Sequence, residues 1–310
     1  MKTVRFIVAL LLTGLMAFTL AGCGSSGSNS KEVYFVSHDN LTGYPGMLYD
    51  ALNAEAQSSG YTLESTNAEM DANKQIDQMN EIIAKKPAAI VLLPVEAQAL
   101  KPAVEKANEA GIPVVVTNRD IAGGKVATVY SDEEQSGRLQ GEYMAQHLKQ
   151  GAKIVYFMGD SSLTSAHQRW ENFKSACLDK RPDIELLAST DAGWSKSEAV
   201  KYMSMWLKIF PQIDAVVAGN DEMALGAIEA MKAAGRLNSD VLVTGIDAED
   251  AALQKIAAGE MSQTVKQDAG ASAKSIWELV EKMIKSGQTT DNVKVPFINI
   301  THDNVSQFLN

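Results

Sequence analysis

The sequence predicts an α/β fold of two doubly wound parallel sheets, and two alternating patterns support this prediction. Six short segments are almost continuously apolar, which is typical of strands buried on both faces of a parallel sheet. They span residues 33–37, 89–93, 113–117, 153–158, 214–218 and 241–245. Helical patterns lie between them, such as 72–85, where Ile76, Met79 and Ile83 share one face. Repeated strand–helix units of this kind predict an α/β architecture.

Chain length predicts two domains rather than one long sheet. The chain has 310 residues, of which 45% are apolar. Its strand–helix cycle occurs on both sides of about residue 132, and a body of roughly 280 residues after the N-terminal segment suits two medium domains. We therefore expect two related sheets.

The N-terminal segment resembles a bacterial lipoprotein signal sequence. Lys2 and Arg5 precede an apolar run at 6–20, which leads into Leu20-Ala-Gly-Cys23. The alternative, a retained membrane helix, is less favoured because the run is shorter than the roughly 20 residues that a span needs. We expect a signal peptide at 1–22, lipidation of Cys23 and a flexible tether at 23–30. The protein would then be extracytoplasmic and anchored to a membrane, at the cell surface or in the periplasm.

Several functional classes lack support in the sequence. Gly22, Gly24 and Gly27 match a dinucleotide-binding pattern, but no strand precedes them and no helix follows. The net charge of −10 argues against nucleic acid as a partner. Beyond Cys23 the chain has only Cys177, whose helical context favours a small buried side chain. The four histidines lack metal-ligand spacing and no catalytic triad stands out, so we expect no enzyme activity, no metal and no cofactor.

Polar side chains follow the predicted strands, at the edge where ligands bind in open α/β sheets. Carboxylates, amides and guanidinium groups at that edge suit a ligand rich in hydroxyls. Aromatic faces such as Trp194 and Tyr44 would cover the C–H face of a sugar ring. The polar candidates from strand ends are Asp39, Asn118, Arg119, Asp160, Asn220, Asp221, Asp247 and Gln267.

Some of these residues have a structural alternative. Asp221 and Asp247 stand where helices begin, so each could be an N-cap, and for Asp221 the cap is the favoured interpretation. Asn220 is then the better cleft candidate. Arg169 could be a solvated helix residue, and Trp194 could pack in the core.

Four stretches together resemble the periplasmic sugar-binding proteins of the galactose and ribose type, which serve ABC importers. They are Asp191-Ala-Gly-Trp-Ser195, the run at 218–227, Thr244-Gly-Ile-Asp247 and the run at 264–268. The resemblance implies a type I periplasmic binding protein fold whose two domains are joined by three chain crossings. It places the N-terminal domain at 31–131 plus 268–297 and the C-terminal domain at 132–267 plus 298–310.

The resemblance also implies roles for individual residues. Trp194 matches the aromatic that stacks on a pyranose ring, and Tyr44 lies near the opposing aromatic. Arg169 matches an arginine that bonds ring or hydroxyl oxygens. The remaining positions that match ligand contacts are Asn118, Arg119, Asn220, Asp247 and Gln267, with Asp39 as a further candidate in a loop of unusual length.

Two departures from the galactose-type pattern affect the expected ligand. Leu163 and Ser165 stand where galactose-type members have a histidine and an aspartate. Strict recognition of galactose or glucose is therefore not expected.

The function expected from this resemblance is capture of a monosaccharide or cyclic polyol by hinge closure and delivery to an ABC permease, by a monomer. The alternative is a sugar or autoinducer-2 sensor that presents its ligand to a chemotaxis or two-component receptor. A repressor of the lactose-repressor type would share the fold, but the N-terminal segment offers no helix-turn-helix. An extracytoplasmic enzyme would need an acid/base pair that we cannot assign.

Overall fold

The computed structural model describes residues 30–309. The predicted signal peptide at 1–22, the lipidation site Cys23, the glycine motif and all of the tether except Ser30 lie outside these residues. Within the described residues, no helix combines the length and the apolar character that a membrane span requires.

The first sheet has six strands, and all of its pairings are parallel. Its strands are β1 (Glu32–Ser37), β2 (Thr62–Asn67), β3 (Ala89–Leu92), β4 (Val114–Thr117), β5 (Ala127–Ser131) and β11 (Asn292–Val295), in the order β11-β5-β4-β3-β1-β2. Helices cover both faces. They are α1 (Gly43–Ser58) and α9 (Ala269–Ser286) on one face and α2 (Ala72–Lys85) and α3 (Lys101–Glu109) on the other. We call this sheet and its helices the first lobe.

The second sheet also has six strands, and only its edge pair β10/β12 is antiparallel. Its strands are β6 (Lys153–Met158), β7 (Glu185–Asp191), β8 (Ala215–Ala218), β9 (Leu242–Ile246), β10 (Gln263–Lys266) and β12 (Ile298–Thr301), in the order β12-β10-β9-β8-β6-β7. One face carries α6 (Lys196–Ile209), α7 (Asp221–Ala233) and α8 (Asp250–Ala257), and the other carries α4 (Glu133–His147) and α5 (Thr164–Ala176). We call this the second lobe.

The chain passes between the two sheets three times. It crosses after β5, between β10 and α9, and between β11 and β12. The fold class predicted from the sequence, two doubly wound sheets joined by three crossings, is confirmed. Cys177 is fully buried in the apolar cluster under α4 and α5, as its helical pattern indicated.

Helices α4 and α5 pack closely because α4 has glycine at two positions that face α5. A Cβ added at Gly137 would lie 2.1 Å from the carbonyl oxygen of Arg169, and one added at Gly141 would lie 2.6 Å from the Cβ of Ala176. Such distances leave no room for a side chain. The backbone of α5 at Arg169 is therefore positioned by contact with α4.

We predict that Gly137→Ala lowers the free energy of unfolding by about 1–3 kcal/mol, because the added methyl forces the two helices apart. Urea denaturation followed by circular dichroism would measure this. The control is Gly270→Ala on α9, whose added Cβ would lie 3.5 Å from its nearest neighbour, an ordinary contact. Alanine favours a helix over glycine, so the control should lose no stability. Equal losses in both variants would contradict the packing argument.

Candidate functional site

The carboxyl ends of the strands in both lobes face one cleft with a volume of about 820 Å³. Its lining includes all nine residues that the sequence predicted as ligand contacts. These are Asp39, Tyr44, Asn118, Arg119, Arg169, Trp194, Asn220, Asp247 and Gln267. Leu163 and Ser165, the two departures from the galactose-type pattern, also line it. The structure thus brings together residues up to about two hundred positions apart in the chain, as strand ends of parallel sheets do.

Trp194 forms part of the second-lobe wall, held by an unusual loop. Its φ is +61° and that of Gly193 is +56°. Asp191 stabilises this turn by accepting hydrogen bonds from the backbone N–H groups of Gly193 (2.9 Å) and Ser161 (2.8 Å). The indole lies over Gly159, where an added Cβ would come within 2.2 Å of the ring. Trp194 is half-buried and packs at the edge of the second-lobe core, so it has both core contacts and a face in the cleft.

Arg169 is not a solvated helix residue, since only 5% of it is exposed. Its Nε donates to the Glu133 carboxylate at 2.6 Å, one terminal nitrogen donates to the Gly219 carbonyl at 2.5 Å, and the other donates to Oε1 of Gln267 at 3.3 Å. Burial alone would lower the pKa of Arg169, but the adjacent Glu133 carboxylate reverses this and raises it. Arg169 therefore stays charged inside the protein, 5.3 Å from the Trp194 ring.

Gln267 connects Arg169 to the first lobe. Its Nε2 donates to Oδ1 of Asn118 and to Oγ of Ser131, both at 2.9 Å. Asn118 follows β4 with a φ of +62°, a conformation that asparagine tolerates better than most residues. The hydrogen bonds run from the second-lobe arginine through the crossing segment to two strand ends of the first lobe.

The first-lobe wall includes a residue that sequence reasoning missed. His38 directly follows β1, is only 8% exposed, and its Nδ1 has no hydrogen-bond partner within the described residues. Burial and the nearby Arg119 guanidinium lower the pKa of His38 to about 3, so the imidazole is neutral at physiological pH. Its position directly after a predicted strand was the available signal.

Arg119 lies near one carboxylate of its own lobe, Asp39, and one of the second lobe, Asp160. Burial lowers its pKa to about 10, and the negative charges of Asp160 and Asp39 oppose that shift. It remains protonated at neutral pH. Its guanidinium also lies 3.5 Å from the carbonyl oxygens of Pro94 and Val95.

Tyr44 is mostly part of the first-lobe core. Only 5% of it is exposed, its hydroxyl donates to Oγ of Ser272 at 3.1 Å, and burial raises its pKa to about 12. Its ring has little surface left in the cleft, so the broad aromatic face there comes from Trp194.

The prediction that Asp221 is the N-cap of a helix is wrong, because Asn220 takes that position on α7. The Asn220 side chain accepts from the Met223 N–H at 3.0 Å and donates to the Trp194 carbonyl at 3.2 Å. Asp221 is the first helical residue and is fully buried, where it accepts from Oγ1 of Thr264 (2.7 Å) and the Glu249 N–H (2.9 Å). Burial raises its pKa to about 7.

Asp247 is not an N-cap either, since Glu249 precedes α8. Asp247 has a φ of +123°, is 5% exposed, and its Oδ1 has no hydrogen-bond partner within the described residues. Burial raises its pKa well above the ordinary value, and Arg169 only partly opposes this. A buried carboxyl oxygen that faces a cleft without a partner can accept a hydrogen bond from a ligand.

Residues 33–289 match the model of the periplasmic binding protein domain family. The chain belongs to this family. Among its relatives is the D-apiose import binding protein of Paraburkholderia graminis, which is 32% identical over 93% of this chain and 91% of the relative. Similar solved structures include a myo-inositol-bound ABC transporter solute-binding protein from Bacillus halodurans, with 32% identity, a TM-score of 0.82 and coverage of 91% and 99% of the two chains. Another is the Caulobacter myo-inositol binding protein with myo-inositol bound, with 27% identity, a TM-score of 0.82 and coverage of 92% and 98%.

The buried, neutral His38 predicts a specific loss of stability in acid. The unfolded chain takes up a proton near the usual histidine pKa of 6.5, whereas the folded protein resists protonation down to about 3. The stability is therefore complete above pH 6.5 and falls as the pH drops through that window. Relative to His38→Asn, the wild type should lose about 1–3 kcal/mol between pH 6.5 and 4.5.

Denaturation curves at each pH would measure this difference. The control is His302→Asn, which removes an exposed imidazole of the second lobe. If His38→Asn and the wild type lose stability in parallel on acidification, then His38 is not held neutral in the folded protein.

Proposed function

We propose that this protein is the extracytoplasmic solute-binding component of an ABC importer and that it captures a monosaccharide or a cyclic polyol. One observation carries the proposal. Side chains from both lobes converge on one cleft, and they offer an aromatic face together with amides, carboxylates and guanidinium groups. The myo-inositol-bound structures of the family support a ligand of this class.

The lining matches the chemistry of such a ligand. The Trp194 indole offers an apolar face for ring C–H groups, while Asp247 and Asn220 offer oxygens for hydroxyl donors. Leu163 and Ser165 present fewer polar groups than the galactose-type pair. We therefore favour a cyclic polyol or another sugar over galactose.

The mechanism that we propose is closure of the two lobes about the crossing segments. A ligand that contacts both lobes stabilises the closed form, which a permease distinguishes from the open one. Direct contact between the lobes supports this, since Oγ1 of Thr164 lies 3.4 Å from the Asp120 carboxylate. We propose that the rigid bodies are 31–131 plus 268–297 and 132–267 plus 298–310.

A cleft of this kind can supply the binding free energy that micromolar affinity requires. Micromolar affinity corresponds to about −8 kcal/mol. Spread over the dozen or so heavy atoms of a hexose or cyclitol, this is about −0.7 kcal/mol per atom, which is inside the limit for small ligands. Part of it must offset the cost of closure.

We further propose that Cys23 carries the lipid that anchors the protein outside the cytoplasmic membrane. Metabolic labelling with a fatty acid should mark the wild type but not Cys23→Ala. A wild-type chain that takes up no label and fractionates without membranes would contradict the anchor.

Thermal-shift and calorimetric titrations of the full chain in detergent would test the ligand class, with myo-inositol, ribose, galactose, apiose and xylitol as probes. A ligand present at a hundred times its Kd should add about 2.7 kcal/mol of stability. If none of these polyols or sugars shifts the melting temperature, the proposed ligand class is wrong.

We predict that Trp194→Ala weakens binding of the identified ligand at least tenfold and lowers stability by less than about 3 kcal/mol, because the indole is half-buried. Isothermal titration calorimetry and urea denaturation measure the two effects. The control is Trp170→Ala, which removes a tryptophan that packs on Tyr156 outside the cleft and should leave affinity unchanged. A large loss of stability with intact affinity would assign Trp194 to the core alone.

A further inference from the structure

The cleft has more carboxylates than cations. Six acidic residues line it, namely Asp39, Glu133, Asp160, Glu222, Glu229 and Asp247, against the three basic residues Arg119, Arg169 and Lys196. His38 adds no positive charge, because burial keeps its imidazole neutral. The lining therefore has three more acidic than basic groups. Its net charge depends on how many protons the acids retain.

Two of the three cations form ion pairs with carboxylates, and the third lies near two. Arg169 pairs with Glu133 at 2.6 Å, and Lys196 pairs with Glu229 at 3.1 Å. Arg119 is on the first-lobe side and interacts with Asp39 and Asp160. Three lining carboxyls of the second lobe, Asp160, Glu222 and Asp247, form no salt bridge within the described residues.

Of these groups, Asp247 has the greatest need of a partner. It is 95% buried, and its Oδ1 has no hydrogen-bond partner in the part of the chain that the structure describes. Arg169 is near enough to influence it, but all three guanidinium nitrogens donate elsewhere. An unpaired buried carboxylate is costly unless a partner supplies both charge and hydrogen bonds.

Two further carboxyls lie close to Asp247 but do not line the cleft. Asp221 is fully buried, and Glu249 has a buried Oε1 without a partner in the described residues. The charges that act on Asp247 are Arg169, Asp221, Glu249 and Glu133, so three of the four are acidic. Burial raises the pKa of Asp221 to about 7 and that of Glu249 to about 8. Protons bound to these acids relieve part of the negative charge when no cationic ligand is present.

We propose that the ligand of this cleft is a sugar or cyclic polyol that carries a protonated amine, and that the ammonium group pairs with Asp247. This inference rests on the proposed function and narrows its substrate class. A neutral hydroxyl would give Asp247 a hydrogen bond, but bound protons would still have to neutralise the surplus of acidic groups. An ammonium group supplies three donors and a positive charge at the same place.

Matched ligand pairs test this inference with the full chain in detergent. The pairs are galactose and galactosamine, glucose and glucosamine, and myo-inositol and its monoamino analogue. In at least one pair, the amine should bind at least tenfold more tightly at pH 7 and low salt. Ammonium binding also displaces protons from the carboxyl cluster, so the calorimetric enthalpy should depend on the ionisation enthalpy of the buffer.

Two variants test which carboxyls pair with the ammonium group. Asp247→Asn should reduce the amine-to-hydroxyl affinity ratio at least tenfold, and Glu222→Gln should reduce it in the same direction. The control is Asp303→Asn, which makes the same change of charge on an exposed residue of the second lobe outside the cleft and should leave the ratio unchanged. If Asp247→Asn abolishes all measurable binding, the amine-to-hydroxyl affinity ratio of Glu222→Gln is the test of the proposal.

The other outcomes are distinct. If the neutral member binds as tightly as the amine in every pair, or more tightly, the amine proposal fails while the sugar-binding function stands. If neither member of any pair binds, both proposals fail. If the amine binds more tightly and neither Asp247→Asn nor Glu222→Gln changes the ratio, the assignment of the ammonium to this wall is wrong.

Discussion

Arg169 contacts each of the three segments that connect the lobes, and the arrangement of the cleft depends on it. It pairs with Glu133 just after the first crossing and donates to Gln267 at the second. Its guanidinium carbon lies 5.8 Å from the ring of Phe297 at the third. Loss of one partner of a buried ion pair typically costs about 3–5 kcal/mol, because it leaves an uncompensated charge. Because separating the two charges is unfavourable, Arg169 and Glu133 stay paired. The pair fixes the three crossing segments relative to the second lobe.

The neighbours of Arg169 explain why several small residues are needed around the cleft. Gly137 lets α4 approach the backbone of α5 at Arg169, and the Gly219 carbonyl accepts a hydrogen bond from its guanidinium. Gly159 leaves space for the Trp194 indole, which stacks near the same guanidinium. Because a Cβ on Gly137 or Gly159 would overlap its neighbour, a side chain at either position would move the arginine or the indole. The positions of the Trp194 indole and the Arg169 guanidinium therefore depend on each other.

The sequence predicted the central strands well and the edges poorly, for a physical reason. Strands such as β3 and β8 are buried on both faces and appear as apolar runs. The edge strands β2 and β7 are largely exposed and have the composition of loops, so no periodic signal marked them. In the site, strand ends and family likeness together indicated nine of the residues that line the cleft. They did not indicate the role of Glu133 or the partnerless Nδ1 of His38, because both depend on contacts between segments distant in the chain.

The two walls of the cleft differ in charge, and this difference links ligand binding to closure. The first lobe contributes Arg119, Asp39 and the neutral His38, whereas the second contributes five acidic residues against the two cations Arg169 and Lys196. Where the lobes meet, a Cβ on Gly43 of the first lobe would lie 3.3 Å from Oε1 of Glu249. Approach of the lobes removes water from carboxyls that have no partner among the described residues, which is unfavourable when no ligand is bound. A ligand that supplies hydrogen-bond donors removes this penalty, so the same groups that recognise the ligand also oppose closure without it.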